Sequence, residues 1–402
     1  MTLHVREPDR TLPEFSLTGD LLSFLKCPLQ YRLYNRGKLP PSVPVQQWFG
    51  EFIHGTLEEA FARWKDPQWP QYARSFPWTW EDQLKDIELA IFQRLLARGL
   101  PPPPGLLYEK LKRVDYVDAE ESQRGIASKR FEMALNTWGP HLFPLVDSAE
   151  VRLRGSLEMS KDAAYRATRF SVTGIVDVLS SVRLRQAPGN NIIIRRLREN
   201  ENIRREMDRN ADDFDIIVDY KGMRRPPQND PSWEHQEWQL QTYAWLRRRQ
   251  RPDRRVLAGV LLYLNELLPS ETDMKHLARD VSENVTDVEP GPADRAQILL
   301  RSRAPLNDDD INDEERLPAE TALTVPYRED RSFRLIEVDP DTTAAAVEGF
   351  RSVVAQIESA VHTEMRSSDV RAGWIPRPQQ QTCVACDFKY HCPKRGDQPK
   401  VP

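Results

Sequence analysis

The sequence has few cysteines and no long apolar run, and both shortages restrict its class. The four cysteines are Cys27 and a C-terminal group of Cys383, Cys386 and Cys392. A membrane-spanning helix needs about 18 or more consecutive apolar residues, and no such run occurs. Met1–Asp20 also lacks the apolar stretch of a secretory signal. We therefore expect a cytoplasmic protein with no membrane partner, in which clustered thiols bind a metal rather than form disulfides.

Two further absences concern motors and repeats. No G-x-x-x-x-G-K-[ST] sequence is present, so the chain carries no P-loop motor of its own. No internal repeat is apparent.

Apolar residues make up 39% and charged residues 29% of the chain, which predicts a folded protein with a substantial core. The net charge of −4 gives no sign of a nucleic-acid partner, although arginines cluster locally at 195–209 and 247–255.

The C-terminal cysteines have the spacing of metal ligands. They read Cys383-x2-Cys386-x5-Cys392, a set that is one ligand short of four. Cys27 is the remaining thiol, so a closed set clamps the two ends of the chain together. Zinc and iron–sulfur clusters both accept four thiolates, and the spacing alone leaves the choice open.

Hydrophobic periodicity predicts a mixed α/β protein. Alternating or continuous apolar patterns indicate strands, and apolar residues at helical spacing indicate helices. Helices are predicted at 16–34, 46–64, 80–98, 119–138, 233–250 and 341–366, strands at 148–158, 166–182, 214–222 and 255–264, and a strand pair at 321–338.

These elements suggest four regions along the chain. Residues 1–140 form a helical N-terminal region that carries Cys27 and His54. Residues 141–268 form the α/β core, interrupted by a polar insertion at 183–213. Residues 269–340 form an acidic linker with accessory strands, and 341–402 contain a helix and the cysteine cluster.

Two predicted strands each contain an aspartate that is a candidate metal ligand. The strand that begins at Phe214 ends in Asp219-Tyr220-Lys221, and residues at i and i+2 of a strand point to one face. Upstream, Gly174-Ile175-Val176-Asp177 places another carboxylate within an apolar strand, where burial is costly unless the group is paired or metal-bound. Two carboxylates that meet at one point suit Mg²⁺ or Mn²⁺. An isolated Asp-x-Lys, in contrast, is most often a surface ion pair.

Two helices add candidate side chains. Gln239 and Tyr243 stand at i and i+4, on one face of the helix predicted at 233–250. His54 lies in the helix at 46–64, with Glu58 one turn later. A neutral imidazole can complete the ligand set of a carboxylate-bound cation. Each residue alone is more often structural or exposed.

In this order, the motifs resemble those of a known family. His54, Gly174-x-x-Asp177, Asp219-x-Lys221 and Gln239-x3-Tyr243 are similar to the motif series of RecB-type PD-(D/E)xK nucleases. The cysteine pattern resembles that of their iron–sulfur branch, which includes CRISPR-associated exonucleases and nuclease domains of bacterial helicase–nuclease complexes. The resemblance implies a restriction-endonuclease-like fold: a mixed central sheet flanked by helices.

The resemblance also implies a role for each residue. Asp177, Asp219, His54 and the carbonyl of Tyr220 are expected to bind Mg²⁺ or Mn²⁺. Lys221 is expected to orient the attacking water, and Gln239 and Tyr243 to hold Lys221 and the nucleic acid. Glu150 is a weaker match to an acidic residue of relatives. The four cysteines are expected to carry a [4Fe-4S] cluster with an end-clamping role, and Arg247–Arg255 to track the phosphate backbone.

The leading hypothesis is therefore a metal-dependent DNA exonuclease that acts on single-stranded ends in repair, recombination or CRISPR-related processing, with a helicase or a CRISPR adaptation protein as partner. The alternatives are a non-catalytic DNA-end binder and a zinc-stabilised protein. Asp177, Asp219 and Lys221 are all present, which argues against a degenerate site.

Overall fold

The described parts of the chain form an α/β structure. The computed structural model describes residues 12–39, 45–72, 76–159, 167–209, 213–301, 323–378, 382–383 and 386–394. The acidic run Asp308–Glu315 lies outside these residues. Within them, no helix has both the length and the apolar character needed to cross a membrane.

A six-stranded mixed sheet forms the centre of the fold. Its strands are β1 Glu14–Ser16, β2 Val146–Glu158, β3 Arg169–Arg183, β4 Asp213–Lys221, β5 Val256–Tyr263 and β6 Phe333–Glu337. The order is β1-β3-β4-β5-β6, and β2 pairs with β3 outside this path. The pairs β1–β3 and β4–β5 are parallel and the others are antiparallel. The predicted mixed sheet is confirmed, and it is compatible with a restriction-endonuclease-like fold.

Helices of the N-terminal region cover one face of this sheet. Those on this face are α3 Val45–Lys65, α4 Lys85–Ala97 and α5 Ile126–Leu142, whereas α1 Ser23–Lys26 and α2 Pro28–Tyr31 pack in the core on the other face. Apolar side chains of α3, α4 and α5 pack with Val178, Ile216 and Val260 of the sheet in one core. The fourth helix was predicted at 119–138, but it begins later because short 3₁₀ turns occupy 113–118 and 121–123.

Two later helices cover the other face. The helices after α5 are α6 Ile192–Glu199, α7 Glu201–Arg209, α8 Pro231–Gln250, α9 Glu271–Ser282, α10 Pro292–Arg301, α11 Val325–Ser332, α12 Pro340–Ser367 and α13 Val370–Gly373. Of these, α8 and α12 cover this face. Residues of α8 and α12 pack with Phe15, Leu153, Val172 and Ile217 in a second core. The first part of the chain, from β1 to α2, joins this core.

The region between β5 and α12 differs from the prediction. A strand pair was predicted at 321–338, but α11 occupies Val325–Ser332 and a single strand, β6, follows it. Residues 271–301, which were predicted as part of an acidic linker, contain α9 and α10. The apolar residues of these helices pack in a small core of their own around Met274 and Ile298.

The insertion at 183–213 connects the end of β3 to the start of β4. It joins β4 at the end that is farther from Asp219. It forms α6 and α7, and its side chains bond to the β6 end of the sheet. Arg196 pairs with Asp330 at 2.6 Å, and Asn202 donates to Glu337 at 3.1 Å. The insertion therefore contacts α11 and the edge strand β6, and its buried apolar residues pack in the same core as α3, α4 and α5.

Candidate active site

A fork in the sheet places the predicted site residues together. β2 pairs along one edge of β3 from Arg169 to Ser180. On the other edge, β1 pairs with Ser171–Thr173 and β4 with Val178–Arg183. Residues 174–177 therefore face a gap between two strands. Asp177 is the last of them, and Asp219 directly follows the last residue of β4 that pairs with β3.

Asp177 is fixed by two groups on different elements. Its Oδ1 lies 3.3 Å from Nδ1 of His54 on α3, and its Oδ2 accepts the backbone N–H of Tyr220 at 2.7 Å. Burial alone raises the pKa of Asp177, but the charge of His54 and these hydrogen bonds outweigh burial and lower it. Asp177 is therefore held as a carboxylate.

His54 reaches the gap because α3 packs across this end of the sheet. Phe52 and Ile53 are fully buried, and the imidazole of His54 stands edge-on to the ring of Tyr220, with centroids 5.8 Å apart. Burial alone lowers the pKa of His54. The Asp177 carboxylate raises the pKa by more than burial lowers it, so the pKa is about 9. The two residues thus form an ion pair.

Lys221 is held by the side chains of β4 and α8. Its Nζ lies 2.5 Å from Asp219 Oδ2 and donates to Gln239 Oε1 at 3.0 Å. Gln239 Nε2 donates in turn to Asp219 Oδ1 at 3.2 Å and to the Tyr243 hydroxyl at 3.1 Å. The i, i+4 spacing of Gln239 and Tyr243 therefore places both in one chain of hydrogen bonds, as the helical pattern predicts.

Gly174 explains how Tyr243 can approach β3. A Cβ on this residue would lie 2.4 Å from Cε1 of the Tyr243 ring. No real side chain tolerates that distance, so the position requires glycine. The sequence pattern indicated a close approach at Gly174, and the structure identifies the approaching group as the side chain that bonds to Gln239.

The donor set at the fork fits a hard divalent cation. Asp219 Oδ2 is buried, and its one described partner is the Lys221 ammonium, 2.5 Å away. Burial raises the pKa of Asp219, and Lys221 only partly opposes this effect. A buried carboxylate with one cationic partner keeps lone pairs for a further cation, and Mg²⁺ or Mn²⁺ prefers carboxylate oxygens as ligands.

Glu150 joins the site from β2. One ligand atom each of His54, Glu150 and Asp177 lies within 4.8 Å of the others, a grouping that could hold a metal ion. Glu150 has a left-handed backbone, with φ of 52°, which is strained for a residue with a side chain. Partial burial and the neighbouring Asp177 raise its pKa to about 7.

This grouping differs from the predicted ligand set. Glu150 was the weaker match in the sequence, yet it lies with His54 and Asp177, whereas Asp219 is engaged with Lys221 and Gln239. Tyr220 was expected to offer its carbonyl, and its described contact at the site is the N–H bond to Asp177. The ligand roles of Asp219 and Tyr220 stay predictions.

The four cysteines line one pocket. Cys27, Cys383, Cys386 and Cys392 surround it together with residues of 376–378, and all four are half-buried and form no disulfide. Burial raises the pKa of the Cys386 thiol, and the nearby Cys27 and Cys383 raise it further. The two ends of the described chain therefore meet at the cysteines, as the spacing suggested.

Two arginines of 247–255 pair with carboxylates of β4 away from the site. Arg247 pairs with Asp215 at 2.8 Å, and Arg254 pairs with Asp213 and Asp215. Asp215 lies four residues before Asp219 on β4, about 13 Å away along the strand. Carboxylates near the opposite end of β4 therefore neutralise Arg247 and Arg254, and the expectation that 247–255 tracks the phosphate backbone stays a prediction.

A cleft of about 790 Å³ opens over the fork. Its lining includes His54, Glu150, Asp177, Asp219 and Lys221, together with residues that were not predicted to belong to the site. These are, among others, Glu14, Glu51, Arg152, Ile175 and Met223. No pattern in the sequence singles them out, because their placement depends on how the strands pair and on how α3 packs on the sheet.

Comparisons with known proteins point to one family. The family model described as the PD-(D/E)XK nuclease superfamily matches residues 18–393. No curated protein matches the sequence. Six chains of solved structures match it. One, from the crystal structure of SSO0001, is 13% identical, and the match covers 94% of this chain and 97% of that one. Its TM-score of 0.25 is too low to inform the fold.

Proposed function

We propose that this chain, which belongs to the PD-(D/E)XK nuclease superfamily, is a divalent-metal-dependent nuclease that hydrolyses phosphodiester bonds in DNA. More narrowly, we propose an exonuclease of the RecB-type iron–sulfur branch that acts on single-stranded ends. The observation that carries this proposal is the fork between β3 and β4. There, Asp177 pairs with His54, and Lys221 is held between Asp219 and Gln239.

The residues at the fork suggest separate roles in metal binding and in the orientation of water. His54, Asp177 and Glu150, with Asp219 from β4, offer the ligands for Mg²⁺ or Mn²⁺. When bound, the ion supplies positive charge for the phosphate oxygens and lowers the pKa of water. Lys221 orients the attacking water and stabilises charge on the phosphate. Gln239 fixes the position of the ammonium, and Tyr243 fixes Gln239.

A direct assay tests this function. Wild-type protein and Lys221→Ala are incubated with Mg²⁺ or Mn²⁺ and with linear or circular single-stranded DNA labelled along its length. We expect the wild type to degrade the linear DNA and spare the circle, and Lys221→Ala to lose at least about 100-fold in rate. Lys112→Ala, at an exposed lysine of the helical region, is the matched control.

The outcomes separate the alternatives. Cleavage of the circle would retain the nuclease and exclude a strict exonuclease. A wild-type protein that binds DNA ends but is inert with both metals would indicate the non-catalytic end binder and overturn the nuclease proposal.

We further propose that the four cysteines hold a [4Fe-4S] cluster. The support is their convergence on one pocket and the family resemblance of their spacing. Anaerobically purified protein is expected to contain iron and sulfide, and Cys27→Ala is expected to lose iron as fully as Cys383→Ala does. A colourless protein with zinc and no iron would overturn the cluster and leave the nuclease proposal intact.

A cytoplasmic location and a partner that unwinds DNA complete the proposal. The chain has no P-loop sequence, so a single-strand exonuclease needs another source of unpaired ends. A helicase supplies such ends directly. A CRISPR adaptation complex that trims overhangs is the second candidate partner. Co-purification from cells, followed by an unwinding assay on the partner, distinguishes the two.

A further inference from the structure

Arg152 and Ile175 form a pair on the floor of the cleft. They are cross-strand neighbours of β2 and β3, so their side chains lie side by side on one face of the sheet. Both line the cleft that contains Asp177, Asp219 and Lys221. Ile175 stands two residues before Asp177. The pair therefore lies beside the fork, next to the candidate catalytic residues.

Ile175 is an exposed apolar residue within a strand that is otherwise buried. Its relative exposure is 45%, whereas Val172 and Val176 of the same strand are fully buried. Met223, two residues after Lys221, is 39% exposed and lines the same cleft. A single exposed isoleucine on an outer surface is ordinary. Two exposed apolar side chains beside the candidate catalytic residues give the cleft an apolar surface for a ligand.

Arg152 differs from the other arginines near the sheet. Arg154, the next residue on this face of β2, pairs with Glu14 at 2.7 Å, and Arg247 pairs with Asp215. Arg152 is exposed and makes no ion pair with any described residue. Several carboxylates line this cleft, among them Glu14, Glu51 and Glu150, and they repel a polyanion. A free guanidinium at this point is well placed to bind a phosphate.

We propose that Arg152 and Ile175 form a subsite for one unpaired nucleotide next to the scissile phosphate. This inference rests on the proposed nuclease function. Arg152 binds the backbone phosphate, and Ile175 contacts the face of the base. In a duplex, neighbouring bases cover that face, and an aliphatic side chain reaches it only after unstacking. The pair therefore favours single-stranded over double-stranded DNA.

Binding measurements test the subsite without relying on turnover. Fluorescence anisotropy with Ca²⁺ in place of Mg²⁺ compares a labelled single strand with a blunt duplex of the same length, and a gel checks that the DNA stays intact. Ile175→Ser is expected to weaken single-strand binding about fivefold and to leave duplex binding unchanged. Arg152→Ala is expected to weaken both and to lower the salt slope on the single strand by about 0.7.

Controls isolate the two contacts. Lys112→Ala removes an exposed positive charge, and Val114→Ser removes an apolar side chain that is 82% exposed, both in the helical region. Neither is expected to change binding. Ile175→Thr keeps the β-branched shape that suits a strand, and melting temperatures verify that both Ile175 variants fold. A single strand with abasic sites should bind the wild type and Ile175→Ser equally.

Two results would overturn the subsite. One is an unchanged preference for single strands over duplex in Ile175→Ser and Ile175→Thr. The other is an equal loss of affinity for normal and abasic strands. If the wild type cleaves DNA and either result is found, the subsite is wrong and the nuclease proposal stands. If the expected binding pattern occurs in a protein that never cleaves, the subsite stands and the nuclease proposal fails.

Discussion

Lys221 and Gln239 are joined by a hydrogen bond of 3.0 Å between Nζ and Oε1, across the interface of β4 and α8. The other end of the same amide donates to Asp219 and to Tyr243. Gln239 is thus the one side chain described here that contacts the lysine, the carboxylate and the tyrosine of the motif series at once. Its amide orientation is fixed, because the oxygen must face the ammonium.

Gln239→Ala is expected to lower the rate of DNA cleavage by about 10- to 100-fold, the usual cost of losing a group that orients a catalytic residue. Lys221 loses one of its two described partners and keeps Asp219. Single-turnover cleavage measures the effect. Gln241→Ala is the matched control on α8, because Gln241 donates to the Glu337 carbonyl at 2.7 Å, away from the site. An equal loss of rate in both variants would contradict an orienting role.

Gly174→Ala is expected to destabilise the fold by about 1–3 kcal/mol, the usual cost of overpacking. The added Cβ would lie 2.4 Å from the Tyr243 ring. Urea unfolding measures the change. Gly189→Ala is the control, since nothing lies within 4 Å of its Cβ position. In a Tyr243→Ala background the added cost of Gly174→Ala should largely vanish. A cost that persists there would show that the ring is not the obstacle.

Removing one partner of the Arg32–Glu364 pair is expected to cost about 3–5 kcal/mol. Arg32 Nε and Nη2 each donate to the carboxylate at 2.8 Å, and Trp374 donates to it at 2.7 Å, all in a buried place. This pair joins the region after Cys27 to the helix before the C-terminal cysteines, independently of any metal.

The double variant Arg32→Met/Glu364→Gln tests that energy. It removes both charges, so it should be less destabilised than Arg32→Met alone, as measured by urea unfolding of the metal-free protein. A double variant that is as unstable as the sum of the single variants would mean that the two groups act independently.

Glu88→Gln is expected to change how stability depends on pH. Glu88 is fully buried, and burial raises its pKa above the ordinary 4.5, against hydrogen bonds from Ser128, Trp80 and Tyr108. A carboxyl with a raised pKa stabilises the fold while it is protonated. That contribution is lost as the pH rises through the folded-state pKa.

The free energy of unfolding of Glu88→Gln relative to the wild type should therefore increase from pH 4.5 upward, with a slope of at most about 1.4 kcal/mol per pH unit. Urea unfolding at several pH values measures it. The same exchange at the exposed Glu109 is the control. A difference that stays constant with pH would contradict a raised pKa at Glu88.

The sequence predicted much of the site because its residues follow apolar runs within strands or lie on helix faces. Asp177 and Asp219 follow apolar runs, and strands that pair bring such positions together. The spacing of Gln239 and Tyr243 predicts a shared face on its own. His54 needed the family resemblance, since no local pattern connects α3 with β3.

Other features depend on tertiary contacts that a linear pattern does not contain. β1 has three residues, too few to show periodicity, and its pairing with β3 is parallel and distant in sequence. The neutralisation of Arg254 depends on Asp213 and Asp215 across the β4–β5 pair. Arg152 and Ile175 become neighbours only through the register of β2 and β3.

The fork also bears on self-association. The edge of β3 that faces the cleft is open only at residues 174–177, because β1 occupies it on one side and β4 on the other. Exposed strand edges recruit further strands and cause aggregation, and a long open edge is the usual template. An edge of this length, closed at both ends, is too short to accept another strand. The chain can thus expose backbone to a substrate without inviting a second copy of itself to pair there.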